Sequence, residues 1–205
     1  MRNDDTHPGH RTLRLPQIDY SLPGAYFVTI VTQDRLSLFG KIENGDITLN
    51  AAGQMVSHKW NELAHRFPFI ELDHFVVMPN HLHGILMIMP YSKLNGEQGV
   101  GANPVFAPFT TVERSHDTEL MPKLHGTDPG TLGRIIQDFK TGTTNWYIEG
   151  VQEQGWPKFP GRLWQWNYYE KIIRDERMLN ELREYIITNP LRWEFDKENL
   201  NRNPG

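Results

Sequence analysis

Residues 69–89 constrain the fold more than any other stretch of this chain. Two runs rich in β-branched and aromatic residues, Phe69–Met78 and His83–Met89, flank the turn signal Pro79-Asn80. Two such runs across so short a turn predict neighbouring strands that run in opposite directions. The triplet His81-Leu82-His83 stands at the entrance of the second strand. In a strand, residues i and i+2 face the same way, so both imidazoles lie on one face, roughly 6–7 Å apart at their Cα atoms. Leu82 then faces the opposite side, into a core.

Two readings of the histidine pair compete. In one, they are polar residues at a strand edge. In the other, two neutral imidazoles on one face share a divalent ion. The position at a strand entrance, where side chains reach a cleft, favours the second reading.

Composition narrows the chemistry. The chain has 205 residues, which suits one domain with an insertion. It has no cysteine, so disulfides, thiolate zinc sites and cysteine nucleophiles are excluded. No apolar stretch approaches the roughly 18–20 residues of a membrane span, and Met1–His10 shows no apolar leader. A soluble, cytoplasmic protein is expected. The formal charge of −4 argues mildly against indiscriminate nucleic-acid binding, although a local basic groove is compatible with it.

Along the chain, residues 1–20 read as an extended arm, 21–195 as a single catalytic domain and 196–205 as a tail. Tyr26–Thr32 predicts a strand, and Asn44-Gly45 between two short runs predicts a hairpin. Asn50 is placed to cap a helix from Ala51 to about His65, with Val56, Trp60 and Leu63 at helical spacing. Residues 91–129 carry several glycines and prolines with little periodicity and read as a flexible insertion. A helix follows over about 131–148. A strand is expected over Leu163–Ile173, and a helix from Asp175 to about Thr188, ended by Asn189-Pro190. Together these predict an α+β fold with helices packed on an antiparallel sheet.

On the last helix, Tyr185 and Asn189 are spaced i and i+4 and share one face. A packed tyrosine and a simple helix end would explain them singly. Combined with the histidine pair, they offer an amide oxygen to a divalent ion and a phenol beside it.

These motifs resemble a known family. Met78-Pro79-Asn80-His81-Leu82-His83-Gly84 is similar to the His-hydrophobe-His signature of HUH nucleases. Leu163-Trp164-Gln165, Tyr168-Tyr169-Glu170, Ile173–Glu176 and Tyr185–Pro190 resemble the C-terminal pattern of REP-associated tyrosine transposases. Ile135-Ile136, Phe139-Lys140 and Pro23–Thr29 match its middle helix and first strand, and the likeness covers most of residues 22–193 outside the insertion.

The resemblance implies a ferredoxin-like sheet of the single-tyrosine transposase type. It implies an endonuclease and strand transferase acting on single-stranded or hairpin DNA through a covalent 5′-phosphotyrosine. Tyr185 would be the nucleophile, and His81, His83 and Asn189 would bind Mg²⁺ or Mn²⁺. Candidate DNA contacts are Lys140, Arg134, Arg174 and Trp164. No membrane partner is expected, and monomer and homodimer both stay open. Two other functions are kept: a hydrolase in which the histidines hold a metal-bound water, and a non-catalytic nucleic-acid-binding protein that keeps the fold. Tyr168 and Tyr169 are rival nucleophiles, weakened by pointing to opposite faces of a strand.

Overall fold

The computed structural model describes residues 23–89 and 130–202. The expected arm and insertion lie outside these residues. The described chain runs β1 (Gly24–Val31), β2 (Gly40–Glu43), β3 (Asp46–Leu49), α1 (Ala51–Arg66), β4 (Ile70–Val77), β5 (His81–Ile88), α2 (Leu132–Glu153), β6 (Tyr169–Ile173) and α3 (Glu176–Thr188). A 3₁₀ turn over Pro190–Phe195 follows.

Four strands form an antiparallel sheet in the order β4-β5-β1-β6. With α1 between β1 and β4, and α2 between β5 and β6, the connectivity is the split βαβ pattern of ferredoxin-like folds, so the predicted class is the observed one. The hairpin β2–β3 is an addition, closed by Asn44 and Gly45 at positive φ (55° and 84°), as a tight hairpin turn requires.

Helix starts follow the chain's polar punctuation. The side chain of Asn50 accepts from the amide of Gly53 at 2.9 Å, that of Thr131 from Arg134 at 3.2 Å and that of Asp175 from Met178 at 2.7 Å. The two central strands are buried on both faces, which is why β1 reads as a near-continuous apolar run rather than an alternation.

The two faces of the sheet are packed differently. Tyr26, Val28 and Ile30 of β1 and Leu82 and Leu86 of β5 face α1 and α2, in a core with Trp60, Ile135, Ile136, Phe139 and Tyr147. Gly84 lies under Trp60: a Cβ there would stand 2.4 Å from the indole ring, so only glycine lets the ring lie flat on β5. On the opposite face, Ala25, Phe27 and Ile85 meet Leu179 and Ile186 of α3 in a smaller cluster.

The strand expected over Leu163–Ile173 forms only from Tyr169 onwards. Before it, Trp164 makes a single bridge to Thr32. The ammonium of Lys140 donates to the carbonyls of Gln165, Trp166 and Asn167 at 3.0, 3.3 and 3.1 Å. Successive carbonyls of a strand point opposite ways, so three in a row cannot converge on one cation; the segment loops around Lys140 instead. Beyond the 3₁₀ turn over Pro190–Phe195, Asp196, Glu198 and Asn199 are buried.

Among the described residues no helix is long and apolar enough to cross a membrane.

Candidate functional site

The register of β5 against β1 pairs His83 with Thr29 and His81 with Val31, on the face covered by α3. Both imidazoles are buried. Each ring is held from behind through Nδ1. His81 Nδ1 lies 2.8 Å from the Asn80 side-chain oxygen, and His83 Nδ1 lies 2.8 Å from the Thr29 hydroxyl. The Asn80 amide nitrogen donates to the carbonyls of Arg35 (3.0 Å) and Glu198 (2.7 Å), which fixes its oxygen as the acceptor. His81 Nδ1 therefore carries the proton, and its Nε2 presents a lone pair.

The two Nε2 atoms face each other at 3.0 Å. Burial, and next the charge of Lys197, push His81 down to about 3; burial drives His83 well below its ordinary value as well. Two neutral rings thus turn nitrogen atoms toward one point. Through these two nitrogens His81 and His83 would hold one shared divalent cation.

The C-terminal segment supplies oxygen. The Tyr185 hydroxyl lies 3.3 Å from His83 Nε2, and its ring stands edge-on to Phe27. Burial, and next the Asp196 carboxylate, raise the Tyr185 phenol above its ordinary value. Asp196 Oδ2 is 3.8 Å from His81 Nε2, and the ligand atoms of His81, His83 and Asp196 all fall within 4.8 Å of one another. The amide nitrogen of Asn189 donates to Asp196 at 3.3 Å, which leaves its buried side-chain oxygen without a partner. Two imidazoles, a carboxylate and an orphaned amide oxygen fit a divalent cation: a buried oxygen without a donor is costly unless something positive meets it.

Of the predicted residues, the fold brings His81, His83, Tyr185 and Asn189 together. It sets the other four elsewhere. Trp164 is 4% exposed, its ring between Phe39 and Phe139 and its indole donating to Thr143 at 2.8 Å, so no face is left for a base. Lys140 is spent on the three loop carbonyls, and burial pushes its ammonium down to about 8. Arg134 and Arg174 are exposed. Of the rival phenols, Tyr169 joins Tyr185 in lining one cleft, and Tyr168 packs partly buried on the α1–α2 side.

Three contributors escaped the sequence. Asn80 reads as a turn residue, and Thr29 as one more β-branched strand position. Asp196 lies beyond the final helix with no motif around it. Only Asn80, adjacent to His81, offered a local signal.

No family model matches the chain. It is 36% identical over 187 residues to an uncharacterized protein of Haemophilus influenzae, covering 91% of each chain. Among solved structures, it resembles a REP-associated tyrosine transposase bound to a REP hairpin, with a TM-score of 0.49 and 17% identity over 91% of this chain and 76% of that one. A provisionally assigned transposase of Deinococcus radiodurans gives a TM-score of 0.44 and 14% identity over 82% of this chain and 92% of that one.

Proposed function

The chain belongs to one family with the Haemophilus influenzae protein, and we propose that it is a transposase-like nuclease that cuts and rejoins single-stranded DNA through Tyr185. The observation that carries this reading is the 3.3 Å separation of the Tyr185 hydroxyl from His83 Nε2, which lets one phosphate meet both the phenol and the imidazole pair.

A phenol suits this role for a chemical reason. Phenolate is a far better leaving group than an alkoxide, so a tyrosine ester can be undone. In the cut, the Tyr185 oxygen bonds to phosphorus and the bond from phosphorus to the 3′ oxygen breaks. The phenol releases one proton to solvent, and the departing 3′ oxygen takes one up. The resulting 5′-phosphotyrosine keeps the phosphodiester's energy for a later attack by a 3′-hydroxyl.

His81, His83 and Asp196 would hold Mg²⁺ or Mn²⁺, with the Asn189 oxygen as a further donor. Such a cation polarises a non-bridging phosphate oxygen and neutralises charge as it develops. The protein's own part is to keep the rings neutral by burial, aim their Nε2 atoms through Asn80 and Thr29, and hold the phenol at the end of a helix. Asp196 adds a negative charge that an amide alone would not.

That carboxylate also favours a second reading. Two histidines and one carboxylate make a donor set used by metal hydrolases, in which bound water attacks. One experiment separates the two. Protein is incubated with hairpin oligonucleotides and Mn²⁺ and run on a denaturing gel. A transferase leaves DNA attached to the polypeptide, and Tyr185→Phe abolishes the adduct. A hydrolase cuts without an adduct and survives that change.

A further inference from the structure

In front of Tyr185 a cleft of about 200 Å³ opens between β6 and α3, and two lysines that neither the metal cluster nor the core uses line it. Along β6, Tyr169, Lys171 and Ile173 alternate onto the face shared with His83. Register sets Tyr169 opposite Thr29 and Lys171 opposite Phe27. Ile173 is buried beneath α3, whereas Lys171 and Tyr169 stay exposed in the cleft. Lys197 enters from the other side, its ammonium 5.0 Å from the centre of the Tyr169 ring. Its neighbour Glu198 lies only at 3.8 Å, and the other oxygen of that carboxylate accepts from Arg35 at 2.8 Å. Two positive charges thus flank a phenol in a chain whose net charge is −4.

We infer that this cleft is a phosphate subsite, in which Lys171 and Lys197 hold a phosphodiester of single-stranded nucleic acid against the Tyr185 hydroxyl, with Tyr169 positioning Lys197. The inference rests on the nuclease reading above and deepens it. An edge strand often carries a lysine merely to discourage pairing with another sheet. Here that lysine points across the sheet face into a cleft that a second lysine shares.

Counterion release provides the test. Each phosphate contact on a single strand adds about 0.7 to the slope of log affinity against log salt. A fluorescent oligothymidylate is titrated in EDTA, which removes metal and chemistry from the measurement. Lys171→Gln and Lys197→Gln should each flatten the slope by about 0.7, and together by about 1.4. Lys41→Gln, on the β2–β3 hairpin, should leave it unchanged. Tyr169→Phe keeps the ring and the slope. Tyr169→Leu flattens the slope as Lys197→Gln does and adds nothing on top of it. A double lysine variant with the wild-type slope overturns the subsite, even where the wild type forms its covalent adduct with hairpin DNA. A wild type that neither binds the oligothymidylate nor forms an adduct overturns the nuclease reading and the subsite with it.

Discussion

The two faces of the central sheet teach opposite lessons. Toward α1 and α2 the sheet meets a broad apolar core built on Trp60, Phe139, Trp164 and Tyr147. Toward α3 the apolar cluster is small, and the rest of that face is given to imidazoles, a phenol, a carboxylate and amides. Burial area scales with stability, so the first face holds the fold together and the second is free to carry polar groups that cost stability. The helix bearing Tyr185 is held partly by charge: Arg183 of α3 donates to Asp73 of β4 at 3.0 Å. Burial alone would raise the Asp73 carboxyl, but hydrogen bonds from Arg183 and His74 hold it at about 2.

Four measurements test that division, in descending order of effect. Trp60→Ala removes a fully buried indole from the apolar face and should cost about 3–5 kcal/mol in urea denaturation. Added Mn²⁺ at a hundredfold its dissociation constant should stabilise the wild type by about 2.7 kcal/mol. His83→Ala should abolish that gain, and Trp60→Ala should keep it in full; a gain lost in both variants would show that the faces are not independent.

Gly84→Ala sits between them. Its methyl group would press on Trp60 and should cost about 2 kcal/mol through overpacking. Because the same strand carries His83, the Mn²⁺ gain should shrink as well, and an intact gain would sharpen the separation. Asp73→Asn should cost about 1 kcal/mol at neutral pH, given a partner that is partly open to solvent. The folded Asp73 carboxyl titrates below its ordinary 3.8, so its contribution is present above about pH 4 and is lost as the pH falls toward 2. Protection of the α3 amides, taken relative to the intrinsic exchange rate at each pH, should fall over that window more steeply in the wild type than in Asp73→Asn.

Much of the candidate site was legible because it rests on local periodicity. A His-x-His in a strand and a Tyr-x-x-x-Asn on a helix each specify a face without knowledge of the partner. What stayed hidden depends on pairing between distant segments. Thr29 reaches His83 only through the β1–β5 register, and Asp196 reaches the cluster only after the chain turns at Pro190. The over-long strand before Tyr169 failed for a related reason. Its aromatic residues satisfy a strand pattern, but Lys140, some 25 residues upstream, gathers its carbonyls. Trp164 shows the same limit: a tryptophan read from the sequence as a candidate DNA contact is packed between Phe39 and Phe139.

The imidazole pair and the phenol come from parts of the chain 102 residues apart, with α2 and β6 between them. On the ribosome, His81 and His83 emerge first, and the sheet that braces them gains its edge strand later. The candidate site is complete only once α3 and Asp196 have left the exit tunnel and docked. A nascent chain stalled before that point carries the imidazole pair without Tyr185, Asn189 or Asp196, so the candidate site closes only at the end of synthesis.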